Sequence, residues 1–116
     1  MKLVDNKNKT DKNELREMAS ESFDNLVKAV VDVAEEVMAV DAEMHADQEQ
    51  YLLDKGHEQK NLWGINLYPE AEEERVEFDS MINLRPSQGN RSRGVDDSDI
   101  RNKIINIVNN LVDWNE

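Results

Sequence analysis

The sequence contains no cysteine, which excludes a disulfide framework and thiolate chemistry. It has no apolar run near the roughly 20 residues that a membrane span requires, and its first ten residues contain no signal-peptide core. We therefore expect a cytoplasmic protein that has no membrane partner.

Basic residues are also few, since 14 Lys and Arg stand against 26 Asp and Glu, giving a formal net charge of -12. Long-range repulsion opposes broad binding to nucleic acids or anionic membranes. A local cluster of positive charge can still bind an anion at short range, because salt screens the more distant charges.

Several catalytic motifs are missing. No serine lies in a GxSxG elbow, and the sequence contains neither a Walker loop nor GxGxxG. Glu43, His45 and Asp47 would share one face of an extended segment and could ligate a metal, and His57 could join them through the fold. Zinc sites usually need more His or Cys, so we interpret His45 as a capping or surface residue and expect no metal and no cofactor.

The patterning predicts one α+β domain over 11–116, preceded by a disordered tail over 1–10. We expect two antiparallel β-hairpins that form one sheet, with the helices packed on one face, in the order α-β-β-α-β-β-α. The predicted elements are a helix over 12–24, a hairpin within 27–44, a helix over 45–56, strands over 62–68 and 76–85, and a helix over 97–113.

The hairpin within 27–44 has an alternative. Its valines favour strands, and Glu35-Glu36 could mark the turn. The same apolar residues also lie at helical spacing, but that helix would merge with the preceding one into an element of more than about 30 residues, which is unusual in a small domain. Both interpretations remain open at this point.

The segment from Arg75 to Gly94 carries the strongest local signal. Apolar and polar residues alternate from Val76 to Arg85, which predicts a strand with one wet face, and Pro86 should end the pairing. Three of the six arginines of the chain lie close together here, Arg85 at the end of the strand and Arg91 and Arg93 in the loop that follows, which leads into the last helix.

From Val27 to Leu111 the chain resembles a family of small archaeal and bacterial proteins catalogued as a domain of unknown function (domain of unknown function 5674). The stretches that carry the resemblance are VKAVVDV at 27–33, MHAD at 44–47, LWGINLYP at 62–69 and EFDSMINLRPSQGNRSRG at 77–94. The resemblance implies no activity, because the family has none assigned.

The arginine loop suggests an anion site that uses Arg85, Arg91 and Arg93 together with Ser87 and Asn90. A guanidinium group matches the oxygens of phosphate and carboxylate, and helix N-termini favour anions. The competing interpretation is that these arginines form ion pairs with the acidic surface and with the aspartates at 96, 97 and 99.

The polar face of the predicted strand is a second candidate. Glu77, Asp79, Asn83 and Arg85 alternate along it, and two such carboxylates can bind a cation or perform acid–base catalysis. Such a face is more commonly just solvated.

Three functions follow. The favoured hypothesis is a module whose arginine loop binds an unidentified anionic ligand. The first alternative is a small hydrolase-like enzyme that joins Glu77, Asp79 and Asn83 to the loop. The second alternative is a homo-oligomer, such as a homodimer, in which the loop docks on the acidic surface of the other copy.

Overall fold

The computed structural model describes residues 1–22 and 25–115, and within these ranges it contains three α-helices and seven strands. In chain order the elements are β1 (Lys2–Val4), β2 (Thr10–Asp11), α1 (Lys12–Glu21), β3 (Val27–Asp32), β4 (Val37–Val40), α2 (His45–Asp54), β5 (Leu62–Leu67), β6 (Val76–Glu77), α3 (Ser98–Leu111) and β7 (Val112–Asp113). Short 3-10 helices occur at Gln59–Asn61, Met81–Asn83 and Pro86–Gln88. Residues 23 and 24 of the first predicted helix lie outside the described ranges.

Five strands form one antiparallel sheet in the order β1-β4-β3-β5-β6, and β2 pairs in parallel with β7. The α+β fold class is therefore confirmed, and β3 and β4 form the predicted hairpin. The carboxylate of Asp32 stabilises its turn, because its Oδ1 accepts hydrogen bonds from the N–H groups of Ala34 and Glu35 at 2.8 and 2.9 Å. The helical alternative for this segment is wrong, since β-branched residues fit the pleated sheet better.

The structure differs from the expected disordered tail over 1–10. Strand β1 pairs with the edge of β4, with Lys2 opposite Val40 and Val4 opposite Met38. Val4 is fully buried. The apolar pair Leu3-Val4 gains enough burial to order an otherwise polar segment.

The helices cover both faces of the sheet rather than the single face that the sequence predicts. One cluster joins α1 and α3 to one face, and its members include Leu15, Ala29, Val31, Met38, Trp63, Ile65, Ile104 and Leu111. A smaller cluster joins Leu52 of α2 to Val30, Ala39 and Leu62 on the opposite face. Every residue of β5 is buried, which requires packing layers on both sides of that strand.

The strand predicted over 76–85 ends at Glu77, and this part of the prediction is wrong. Beyond that point the chain forms the 3-10 helix Met81–Asn83, and the expected burial pattern is reversed from residue 83 to residue 85. Asn83 and Arg85, assigned to the wet face, are 0% and 8% exposed, whereas Leu84 is 42% exposed. The two polar side chains are buried because they hydrogen-bond to the edge of β5.

Candidate functional site

Arg85 is a structural residue of the sheet edge. Its Nη1 donates to the carbonyl oxygen of Gln59 at 2.8 Å, and its Nη2 donates to the carbonyl oxygen of Leu62. The guanidinium group also lies over the ring of Trp63, 4.1 Å from the ring centre. Burial lowers the pKa of Arg85. This arginine therefore belongs to the core and does not face a ligand at the loop surface.

Asn83 completes the hydrogen bonding of β5 beside the short strand β6. Its Oδ1 accepts from the N–H of Gly64 at 2.8 Å, and its Nδ2 donates to the carbonyl oxygens of Gly64 at 2.9 Å and Arg93 at 3.0 Å. The side-chain amide thus replaces the peptide group that a longer β6 would have supplied. Asn83 serves the fold and does not line the cleft described below.

The turn of the arginine loop is closed by its own residues. Asn90 donates to the carbonyl oxygens of Asn83, Ser92 and Gly94 at 2.7 to 3.1 Å, and its Oδ1 accepts from the N–H of Asp96 at 2.8 Å. All the hydrogen-bonding atoms of this side chain are therefore used within the protein.

The carboxylate of Asp96 occupies the position at which the loop could hold an anion. It accepts from the hydroxyl of Ser92 at 2.6 Å and from the N–H of Arg91 at 2.7 Å. These hydrogen bonds lower the pKa of Asp96. Ser87 and the side chain of Arg91 are exposed on the surface beside it. The five residues of the predicted anion site do not converge.

Arg93 lies elsewhere, on a cleft between α2, β5 and the segment after β6. Its Nε donates to Oδ1 of Asp79 at 2.8 Å, and both side chains are about half exposed. We call this space the α2–β5 cleft. It has a volume of about 290 Å³, and its polar lining residues are Lys28, His45, Asn66, Asp79, Ser80 and Arg93. Residues from two separate predictions thus meet here.

His45 is the first residue of α2, and Met44 before it supplies no side-chain cap. The ring is 8% exposed, and its Nε2 lies 2.8 Å from the carbonyl oxygen of Ile65. A carbonyl only accepts, so Nε2 carries the proton and Nδ1 keeps a lone pair. Nδ1 forms no hydrogen bond with any described residue. Burial lowers the pKa of His45, so the imidazole is neutral at pH 7.

Asn66 contributes a second acceptor without a partner. Its Nδ2 donates to Oε1 of Glu77 at 2.8 Å and approaches the carbonyl oxygen of Asp79 at 3.5 Å. Both of these neighbours are acceptors, which fixes the orientation of the side-chain amide. Its Oδ1 is buried and has no hydrogen-bond partner among the described residues. The residue as a whole is 7% exposed.

Gly64 allows the walls of the cleft to approach each other. A Cβ at this position would lie 2.6 Å from both Cβ and Oγ of Ser80, and 3.2 Å from Cδ2 of His45. Only a glycine fits without displacing one of these side chains. The role of Lys28 and Ser80 in the cleft was not predicted. The only signal for Lys28 was its place on the opposite face of β3 from Val27 and Ala29.

The family comparison agrees with the resemblance carried by these segments. The family model described as protein of unknown function (DUF5674) matches residues 3–111. The chain belongs to this family. The comparisons with curated proteins and with solved structures gave no match.

In this member of the DUF5674 family, the metal site considered from Glu43, His45, Asp47 and His57 does not form. Glu43 and Asp47 are exposed while His45 is buried, and the described residues include no group of three or more potential ligands that could hold a metal ion. Nor does any helix in the described ranges have the length and apolarity to span a membrane.

His57 lies in a different cleft of about 450 Å³, beside the turn of the β3–β4 hairpin. Its Nδ1 is 2.6 Å from Oδ2 of Asp32, whose side chain is 1% exposed. Because Asp32 also holds the turn, this pair connects the hairpin to the segment after α2. Its position indicates a structural role.

Proposed function

We propose that the α2–β5 cleft binds a small polar ligand that carries both an anionic group and an N–H or O–H donor. The observation that supports this proposal is a pair of side chains, His45 and Asn66. Both are more than nine-tenths buried, both line the cleft, and each has an acceptor atom without a protein partner. The Oδ1 of Asn66 is itself buried, and a buried polar atom without a partner costs about 1–3 kcal/mol, which a donor on a ligand would recover.

In the described part of the chain, the other buried side-chain atoms without hydrogen-bond partners belong to Gln48, Glu49, Trp63 and Arg85, none of which lines this cleft. Asn66 differs from these residues because it lines a cleft that a ligand could enter, together with His45. The unpartnered acceptors of the cleft favour a ligand with donors over an anion that carries no O–H group, such as sulfate.

The anionic group would bind at the positive side of the same cleft. Arg93 uses Nε for Asp79, while its terminal amino groups form no hydrogen bond with the described residues. The ten-residue helix α2 begins there without a side-chain cap, so its positive end is open to an anion. Lys28 adds a further positive charge. This arrangement retains the anion-binding hypothesis but moves it from the loop turn to the cleft.

Titration followed by ¹⁵N NMR tests the proposal, with N-acetylglycine, glycine and sulfate as probes. We expect N-acetylglycine to shift the amide signals of Ala46, Asp79 and Arg93. Arg93→Gln should weaken binding about tenfold, since it removes one charge-assisted hydrogen bond.

Arg91→Gln is the matched control, because it removes the same charge from the same loop at an exposed position outside the cleft. We expect it to leave the affinity within about twofold of the wild type. Equal loss in both variants, or no shift at the cleft with any probe, would refute the proposal.

One observation also favours a second function, catalysis by a general base in the same cleft. The neutral Nδ1 of His45 can accept a proton from a bound substrate, and Asp79 and Arg93 stand beside it. His45→Gln is a suitable test, because glutamine can keep the hydrogen bond to Ile65 while it removes the base. Turnover of small ester or amide substrates that persists in this variant would exclude the role of His45.

A further inference from the structure

The rim of the α2–β5 cleft is apolar. Met44 and Met81 are 57% and 62% exposed, and both line the cleft. They are two of the four large hydrophobic side chains that are exposed in the described part of the chain. A single exposed methionine is ordinary, but a pair at the mouth of one polar cleft points to a ligand with an apolar group. Methionine suits this task because its side chain adapts to different shapes.

We infer that the ligand is the C-terminal residue of a polypeptide, with an apolar last side chain. This inference rests on the proposed function of the cleft and names its ligand class. A C-terminal residue carries a carboxylate, an amide N–H and a side chain on one Cα atom. The carboxylate matches Arg93 and the open end of α2, the N–H matches the unpartnered acceptors, and the side chain matches the two methionines. Capture of a terminal carboxylate is a recurring mode of peptide recognition.

The charges of the cleft favour a polypeptide over a free amino acid. An ammonium group buried there would need a carboxylate as its partner. Asp79 already pairs with Arg93, and Oε1 of Glu77 accepts from both Asn66 and the hydroxyl of Tyr68. The acceptors that remain are the neutral His45 Nδ1 and Asn66 Oδ1, which suit an uncharged amide N–H.

The size of the cleft limits how much of the polypeptide it encloses. Its volume of about 290 Å³ is at the lower end of the roughly 300–1,000 Å³ that is typical of ligand pockets. That space fits one residue, and the preceding residues would leave through the open side. The net charge of -12 disfavours acidic residues at those preceding positions.

The test compares ligands that differ by one group, using NMR titration of the full chain. N-acetyl-leucine carries all three features, N-acetyl-leucinamide lacks the carboxylate, N-acetylglycine lacks the apolar side chain, and leucine carries an ammonium in place of the amide. We expect N-acetyl-leucine to bind at least about tenfold more tightly than each of the other three.

Two variants test the rim. Met44→Ala combined with Met81→Ala should reduce the preference for N-acetyl-leucine over N-acetylglycine about tenfold, because alanine shortens both apolar side chains and does not cap the N-terminus of α2. Met1→Ala is the control, since Met1 is 51% exposed and does not line the cleft. Met81→Ala alone provides a second measurement if the double variant is poorly folded.

The outcomes separate this inference from the proposed function. Binding of N-acetylglycine with no preference for N-acetyl-leucine would overturn the inference and leave the proposed function intact. Tighter binding of leucine than of N-acetyl-leucine would also overturn it, in favour of a free amino acid. A failure of all four ligands to shift signals at the cleft would overturn both.

Discussion

Asn83→Ala tests most directly whether the side chain of Asn83 completes the hydrogen bonding of β5. The substitution leaves the N–H and the carbonyl oxygen of Gly64, a buried residue, without hydrogen-bond partners. The carbonyl oxygen of Arg93 loses one bond but keeps another from the N–H of Ser80 at 2.9 Å. Two unpaired buried groups at about 1–3 kcal/mol each predict a loss of about 2–6 kcal/mol in the free energy of unfolding. That is a large part of the total stability of a domain, which is about 5–15 kcal/mol.

Urea unfolding measures this loss. With a dependence of about 2 kcal/mol per molar urea, we expect the midpoint to fall by about 1–3 M. The control is Asn110→Ala, which removes an exposed hydrogen bond to Asn6 and should change stability by less than about 0.5 kcal/mol. If Asn83→Ala costs no more than this control, the side-chain amide does not replace a strand, and our account of the edge of β5 is wrong.

Three further predictions concern residues of the edge and the cleft. Arg85→Lys should destabilise the fold by about 2–3 kcal/mol, because an ammonium group cannot both stack on the indole of Trp63 and reach the carbonyl oxygens of Gln59 and Leu62. Arg91→Lys on the exposed loop should leave the stability unchanged in the same thermal melt. Gly64→Ala should lower the free energy of unfolding by about 1–3 kcal/mol through its clash with Ser80. Adding Ser80→Gly should restore part of this loss, which a double-mutant cycle measures, and strictly additive effects would contradict the contact. Burial lowers the pKa of His45 below its ordinary value of 6.5, so the unfolded chain binds a proton more readily, and stability should decline as the pH falls below about 6.5. His45→Gln should flatten this decline, and an unchanged pH profile would count against the buried neutral ring.

The spacing of apolar residues correctly predicted the elements that bury one regular face against the core. The valines of β3 and β4 defined the hairpin, and the apolar stripe that includes Ile104, Ile107 and Leu111 defined α3, which begins within a residue of its predicted start. The sidedness of β5 was not predictable in the same way. Gly64 and Asn66 alternate with apolar residues along β5, a pattern typical of a strand with one wet face, yet both are buried beneath α2 and the segment after β6.

The alternation after Glu77 was misleading for a different reason. It indicates which side chains can share a face, but it contains no information on whether a neighbouring strand is available to pair with. Here Asn83 and Arg85 bond to Gly64 and Leu62 of β5 through their side chains, which an alternating pattern cannot distinguish from a solvated strand face. The sequence pattern therefore predicted exposed side chains for an asparagine and an arginine that are buried.

The candidate site was only partly predictable, because proximity along the chain is not proximity in space. Arg85, Arg91 and Arg93 are close in sequence, but the loop turns so that one is buried, one is exposed and one lines the cleft. Asp79 and Arg93, 14 residues apart, were joined only in the enzyme alternative, and they form an ion pair. The loop folds this way because Asn90 and Asp96 close it internally.

The edge of the sheet and the cleft depend on the same segment. Asn83 bonds to Gly64 on β5 and to the carbonyl oxygen of Arg93, so it holds the wall of the cleft against the sheet. A ligand that bridges Arg93 and α2 would in turn hold that wall in place. Binding and edge closure should therefore be coupled: a ligand at 100 times its dissociation constant adds about 2.7 kcal/mol to the stability of the wild type. It should add less to Asn83→Ala, in which the wall is no longer pre-organised. Equal stabilisation of both proteins would show that the ligand binds away from this segment.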